Sequence, residues 1–158
     1  MVWIPYAKLH LCELCFNEFF IRRVKTSVEK HRMFTAGERV AVAVSGGKDS
    51  AALLLSLKEA FPNVEFIPVH VDLGIEGYSA HCLEKARELA KMLDLELVVY
   101  HLRDEKGVTI DDFLHTRFRR KLCSVCGVIK RRVFNELANR VEADVLATGH
   151  NLDDMVEI

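Results

Sequence analysis

Long apolar runs are missing from this 158-residue chain. None approaches the ~20 residues that a membrane-crossing helix needs. The first residues, MVWIPYAKLHLCELC, lack a basic stretch followed by a clean apolar run, so no secretory signal is read there. No segment repeats and none is of low complexity, which leaves solenoid and linker architectures without support. Cysteine is sparse, with five residues. In the cytosol that these absences imply, thiols bind metal or do chemistry rather than pair as disulfides. Acid is absent from one long stretch: His115 to Arg132 holds seven basic residues (Arg117, Arg119, Arg120, Lys121, Lys130, Arg131, Arg132) and no Asp or Glu. A second segment, Ile21 to Arg32, sets five Lys/Arg residues against Glu29 alone. Acid collects elsewhere, at Asp104-Glu105, Asp111-Asp112 and Asp153-Asp154, so a net charge of −1 hides a segregated distribution. A basic run can be no more than a solvated face. Beside a cysteine pair it points to contact with a polyanion.

What is present is an ordinary globular composition, 50% hydrophobic and 28% charged, and enough residues for one domain with a real core. Residues 1–36 read as an appendage, with a helix from about Asn17 to Met33. Phe16, Phe20, Val24 and Val28 recur every four residues on one face of it, and Phe19 widens the stripe. Residues 37–158 then alternate. Strand Val40–Val44, helix Ala51–Phe61, strand Val64–Val71, helix Ser79–Leu93 and strand Glu96–Leu102 follow in turn. An irregular stretch, Arg103–Lys121, leads to helix Ser124–Val141 and strand Asp144–Thr148. Strands alternating with helices predict an α/β, doubly wound, mainly parallel sheet. Ligands in such folds sit at the carboxyl ends of the strands. Three loops fall there: Ser45–Ser50, Asp72–Tyr78 and Gly149–Asp154.

Two local patterns carry chemistry. The run VAVAVSGGKDS (Val40–Ser50) breaks a buried strand into Ser45-Gly46-Gly47-Lys48-Asp49-Ser50 and then a helix. Two glycines there permit close backbone approach, and backbone N–H groups at a helix start form a phosphate cradle. It is not the GxxxxGK[ST] loop. The second pattern is Cys123-x-x-Cys126 at a helix start, with Lys130 one turn further on the same face as Cys126. A helix N-terminus and a cation both favour thiolate. Redox, zinc and iron–sulfur roles all suit such a pair. Cys82 lies on an apolar helix face and reads as core. His70 reads as structural or nucleotide-lining, and His150 as shaping its loop.

Taken in order, SGGKDS, HVDLGIEGYS, CSVCGVIKR and ATGHNLDDM resemble the PP-loop ATP pyrophosphatases, and specifically the N-terminal half of the tRNA-uridine 2-thiolation enzymes. The resemblance runs from about Leu11 to the last residue. It implies a Rossmann-like PP-loop domain that uses ATP and Mg²⁺ to adenylate a uridine O2, after which sulfur arrives through a 4Fe–4S cluster. By position, Ala43, Ser45, Gly46, Gly47, Lys48, Asp49, Ser50, Val71 and Gly149 would hold the nucleotide. Lys130 and Asp154 would form the catalytic pair, also in contact with the nucleotide. Cys123 and Cys126 would ligate the cluster and serve the sulfur transfer. Cys12 and Cys15 match one pair of a zinc finger whose other pair has no counterpart in Met1–His10; His10 is a candidate third ligand. The cluster's third cysteine has no counterpart either, so the chain is expected to be the first half of a protein about twice as long. The implied partners are tRNA, a sulfur-carrier protein or sulfide as donor, and a second copy in a homodimer. A cytoplasmic location is expected. Two other readings stand beside this one: another PP-loop adenylating enzyme (an amidotransferase or a lysidine-type ligase), which would need no cysteine pair, and a non-catalytic nucleotide- and tRNA-binding module.

Overall fold

The computed structural model describes residues 1–151 together with Asp154 and Val156. Leu152 and Asp153 of the last loop lie outside the described residues, as does Ile158. The chain opens with a hairpin of β1 (Val2–Ile4) and β2 (Leu9–Leu11), followed by α1 (Glu13–His31). Next come β3 (Arg39–Ala43), α2 (Lys48–Ala60), β4 (Glu65–Asp72), α3 (Ser79–Met92) and β5 (Val98–His101). Then follow α4 (Leu102–Lys106), two short 3₁₀ turns (Asp111–His115 and Arg119–Lys121), α5 (Leu122–Arg140) and β6 (Val145–Ala147). Strands β3 to β6 form one parallel sheet in the order β5-β4-β3-β6.

Parallel central strands are covered on both faces and therefore read as continuous apolar runs. Val40, Ala41, Val42 and Ala43 of β3 are accordingly all buried. On one face Val40, Val42 and Phe66 pack against Leu54 and Leu57 of α2 and Ala86 and Leu89 of α3. On the other, Ala41, Val69 and Val71 pack against Val133 and Leu137 of α5. Each fully buried Val or Leu contributes about 1.5–3 kcal/mol. The two layers fix α2 and α5 on opposite sides of β3, so both helices start near its carboxyl end.

Several element boundaries differ from the sequence expectation, most of them by one or two residues, and those of α2 and α1 bear on the site. Helix α2 begins at Lys48 rather than Ala51, because Gly47 is extended (φ −92°, ψ 164°) and acts as the N-cap. Lys48, Asp49 and Ser50 are therefore the first helical turn. Helix α1 runs from Glu13, not Asn17, and ends where Arg32 turns left-handed (φ 49°). Its apolar stripe is only partly used. Val28 is buried and Val24 packs beside it, whereas Phe16 and Phe20 stack on each other outside the core at 6.4 Å. The hairpin went unread in the sequence. No helix of the described residues is long and apolar enough to cross a membrane.

Candidate functional site

At the end of β3 the chain turns through Ser45–Gly47, and the Ser50 hydroxyl ties this turn together. It accepts from the Ser45 N–H (3.1 Å) and donates to the Gly47 carbonyl (2.9 Å), with the Ser45 hydroxyl 3.1 Å away. Ser50 is buried. Gly46 sits at φ 83°, and a Cβ there would stand 2.6 Å from the Cys82 carbonyl oxygen and 2.8 Å from its Cα. The turn can lie against α3 only because that position has no side chain. Cys82 itself is buried, as expected of a core residue. The free N–H groups of the α2 start and its positive dipole end then face the carboxyl ends of the strands.

A cavity of about 420 Å³ opens in front of this turn. Ala43, Ser45, Asp49 and Ser50 line one side, Lys130 of α5 another, and Gly149 the rim beyond β6. Six residues of the sequence-derived set thus meet in one space. Gly149 is close-packed there: a Cβ would stand 3.1 Å from the Asp49 carbonyl carbon and the Ser50 nitrogen. Sequence reasoning missed the rest of the α5 wall, Gly127, Arg131, Phe134 and Asn135, which spaces with Lys130 at i, i+3, i+4, i+7 and i+8. That stripe was the available signal.

Other expected residues lie around this cavity rather than in its wall. Lys48 points outward, its Nζ 2.8 Å from the Asp49 carboxylate, and that hydrogen bond raises the ammonium pKa. Val71 is buried in the core under α5, so only its backbone is free to meet a ligand. Asp154 accepts from the Asn151 N–H at 2.8 Å and its own N–H donates back to Asn151 Oδ1 at 3.1 Å, closing a reciprocal turn. His150, by contrast, is in the cavity wall beside Gly149, its Nδ1 2.9 Å from the Thr148 hydroxyl of the same loop. His70 is buried with Nδ1 donating to the Val44 carbonyl (2.7 Å). Burial pushes its imidazole below the ordinary value, outweighing the upward pull of that carbonyl and of Asp72.

Cys123 is exposed and Cys126 half-buried, both free thiols in the first turns of α5. The exposed cations Arg117, Arg119, Arg120 and Lys121 immediately precede them. Cys12 caps α1 and Cys15 sits in its first turn, both exposed. The Cys15 backbone N–H and then its side chain hold the Cys12 thiol below the usual range. His10 stacks on Trp3 (4.3 Å between centroids). Among the described residues no group of three His, Cys, Asp or Glu side chains could hold a metal ion. A separate polar cluster closes the carboxyl ends of β4 and β5. There Asp72 meets His101 Nδ1 at 2.9 Å and the Gly74 N–H at 2.9 Å. Burial raises the Asp72 carboxyl, but the Gly74 N–H and His101 together hold it below its ordinary value.

This geometry meets a family pattern. The model of the PP-loop domain matches residues 17–158. The chain belongs to the PP-loop family. Curated relatives of this PP-loop chain include the tRNA-5-methyluridine(54) 2-sulfurtransferase of Pyrococcus horikoshii. It is 40% identical over 151 residues, which cover 96% of this chain and 47% of that protein. The cytoplasmic tRNA 2-thiolation protein 1 of Arabidopsis thaliana is 31% identical over 157 residues, covering 97% and 44%. Among solved structures, the U34-tRNA thiolase NcsA from Methanococcus maripaludis, with its 4Fe-4S cluster, superposes with a TM-score of 0.85 at 29% identity. That match covers 99% of this chain and 52% of the thiolase. The NH3-dependent NAD synthetase from Campylobacter jejuni shares the fold, with a TM-score of 0.61 at 17% identity over 92% of this chain and 60% of that one. The chain spans about half the length of the curated relatives it matches.

Proposed function

We propose that this PP-loop chain carries the ATP-binding and uridine-activating part of a tRNA-uridine 2-sulfurtransferase. One juxtaposition supports the reading most. The Ser45–Ser50 turn and Lys130 face each other across a single cavity, and the helix that carries Lys130 starts with Cys123 and Cys126. The activities for which the relatives are named point the same way.

In this reading the N–H groups of Gly46 and the first turn of α2 (Lys48, Asp49, Ser50) hold the ATP phosphates, with Ser45, Gly47 and the Lys48 ammonium beside them. Ala43, Gly149 and the Val71 backbone flank the nucleotide, and Asp49 meets Mg²⁺. Uridine O2 attacks the α-phosphorus; the O2–P bond forms as the bond to the bridging oxygen breaks, and pyrophosphate leaves. Lys130, held on a rigid helix, offsets the charge that grows on the phosphate oxygens. Asp154 is its partner on the facing loop. Cys123 and Cys126 are soft donors one turn apart, which suits part of the ligand set of an iron–sulfur cluster. When bound, such a cluster supplies the sulfur chemistry at C2. Sulfide or a sulfur-carrier protein is the donor. The basic residues around Arg117–Lys121 and on α1 grip tRNA phosphates, giving salt-dependent affinity. Cys12 and Cys15 would supply two of the four ligands zinc prefers. The cytoplasm is the expected compartment and a homodimer the expected assembly.

The test is an anaerobic incubation with an unmodified tRNA transcript, ATP, Mg²⁺, iron and sulfide. It is read by mass spectrometry for 2-thiouridine and by pyrophosphate release. Lys130→Ala is expected to cut pyrophosphate release by about 10²–10³-fold. A second reading, a nucleotide- and tRNA-binding module, is favoured by Cys123 and Cys126 having no third metal-ligating side chain beside them among the described residues. ATP and tRNA binding with neither product would establish that module and sink the enzymatic reading.

A further inference from the structure

His70 is a buried titratable side chain that the chemistry above does not use. It lies in β4, is 2% exposed, and brings its Nδ1 to the Val44 carbonyl at 2.7 Å. Side chains alternate along a strand. Val69 and Val71 pack on the α5 face, so His70 points to the other face, the one that α2 and α3 cover. Val44, also buried, is the residue before the phosphate turn.

This bond fixes where the ring carries its proton. A carbonyl oxygen only accepts, so Nδ1 is the donor and the neutral ring keeps Nε2 as a bare lone pair. Nε2 is buried and has no hydrogen-bond partner among the described residues. A second proton there would be charged and unpaired in the core, and burial accordingly holds the imidazole below its ordinary value. The face around it is apolar, with Val40, Val42, Leu54 and Ala86. What the imidazole adds to that face is one donor, aimed at one carbonyl.

That carbonyl belongs to the Val44–Ser45 peptide, the first of the phosphate turn. In a trans peptide the C=O and N–H point in opposite directions. His70 donates to the C=O on one side, and the Ser50 hydroxyl accepts from the N–H at 3.1 Å on the other. The peptide plane is therefore held at both ends. The Val44 N–H also donates to the Val69 carbonyl at 2.8 Å, which roots the turn on β4. With its own N–H occupied, this peptide does not bind phosphate. It aims the groups that do, at Gly46 and the first turn of α2.

We propose that His70 is a positioning residue for nucleotide binding: its Nδ1–H and the Ser50 hydroxyl clamp the Val44–Ser45 peptide and so set the direction of the phosphate turn. This deepens the reading of that turn as the ATP phosphate site and rests on it. Ser50 acts from within the turn, whereas His70 acts from the neighbouring strand and ties the turn to the sheet. The ring works through Val44 and needs no contact with the ligand.

The test compares ATP with adenosine, which has no phosphates, in NMR titrations of the parent chain and two variants. His70→Leu keeps a bulky side chain but removes the donor, which leaves the buried Val44 carbonyl free to turn toward another partner. It is expected to weaken ATP binding by about 10- to 100-fold, with adenosine affinity that of the parent. His70→Asn sets Nδ2 as many bonds from the backbone as Nδ1 and is expected to recover most of the loss. Unchanged ATP affinity in His70→Leu overturns the proposal. So do equal losses for ATP and adenosine, or an Asn variant no better than Leu. Where a variant does not fold, the parent decides. Nitrogen NMR of its His70 ring is expected to show the proton on Nδ1 and Nε2 bare, with saturating ATP slowing exchange of that proton. A proton on Nε2, or exchange that ATP leaves unchanged, overturns the proposal. A parent that binds ATP no more tightly than adenosine sinks the phosphate-turn reading itself and the proposal with it, a result distinct from any difference between variants.

Discussion

Gly46→Ala tests the phosphate turn most directly, because the neighbouring Gly47 supplies an internal control. At φ 83°, Gly46 occupies the left-handed region, which costs an L-residue about 1–2 kcal/mol. The added methyl would also stand 2.6 Å from the Cys82 carbonyl oxygen, and that atom belongs to helical backbone rather than to a yielding side chain. Non-bonded atoms need roughly 3.5 Å, so the turn must retreat by close to an ångström, at a further cost of about 1–3 kcal/mol. The sum predicts a melting temperature lower by about 5–15 °C for a domain of this size. An ångström of displacement at a binding turn also costs on the order of 10²-fold in function. Gly47→Ala meets only its own loop's Ser45 hydroxyl at 3.4 Å, from an ordinary φ of −92°. It is expected to change stability by less than about 1 kcal/mol. The assay is calorimetric titration with ATP beside thermal unfolding of both variants. Equal ATP affinity for Gly46→Ala and the parent would refute the argument that this close approach shapes the cradle.

Three further outcomes are expected. Cys123→Ser or Cys126→Ser abolishes iron uptake on anaerobic reconstitution but leaves ATP affinity within about twofold, since neither thiol lines the cavity; a parallel loss of ATP binding would make them structural. Leu137→Ala, at a fully buried position of α5, lowers unfolding stability by about 2–5 kcal/mol in urea titrations. His70 makes stability depend on pH. Its folded pKa is depressed below the unfolded value near 6.5, so the unfolded chain binds more protons as the pH drops. Its contribution is whole above that value and shrinks as pH falls through the window down to the folded pKa. His70→Gln should flatten that slope, read from melts at stepped pH. Asp72, whose folded pKa is also depressed, acts in a lower window beneath about 3.8, which keeps the two contributions separable.

The parts of the fold that could be read in the sequence are those where burial writes a continuous signal. β3 shows as an unbroken apolar run because both its faces are covered, and the Ser45–Ser50 turn shows because only glycine tolerates its backbone. The alternation of strand and helix followed from the same two signals. The hairpin of β1 and β2 was illegible because its strands are three residues long and largely exposed, leaving no alternation to detect. The start of α2 was placed three residues late because a polar helical turn carries no apolar period. On α1, an apolar stripe at perfect spacing suggested a buried face, yet Phe16 and Phe20 lie outside the core. Periodicity reports that a face can be covered, not that this chain covers it. The Asp72–His101 pair spans 29 residues and exists only because β4 and β5 are register partners there.

The bare edge of β6 and the phosphate turn are mechanically connected, and the connection runs through Gly149. This residue stands two positions past the end of β6 and rests on the Asp49–Ser50 peptide, where a methyl group would be a tight contact at 3.1 Å. The place of β6 therefore sets how the loop after it closes on the first turn of α2. Like β5 at the opposite end of the sheet, β6 has one edge unpaired among the described strands, and its three residues are half-buried. A strand added along that edge would hold Gly149 in place and so tighten the nucleotide cleft. Reciprocity then requires that nucleotide tighten the edge by the same factor. Saturating ATP should slow amide exchange in Val145–Ala147 of the isolated chain, and Gly149→Ala should remove the effect. If ATP binds and exchange at β6 does not change, the cleft and the edge are independent, and covering β6 serves stability alone.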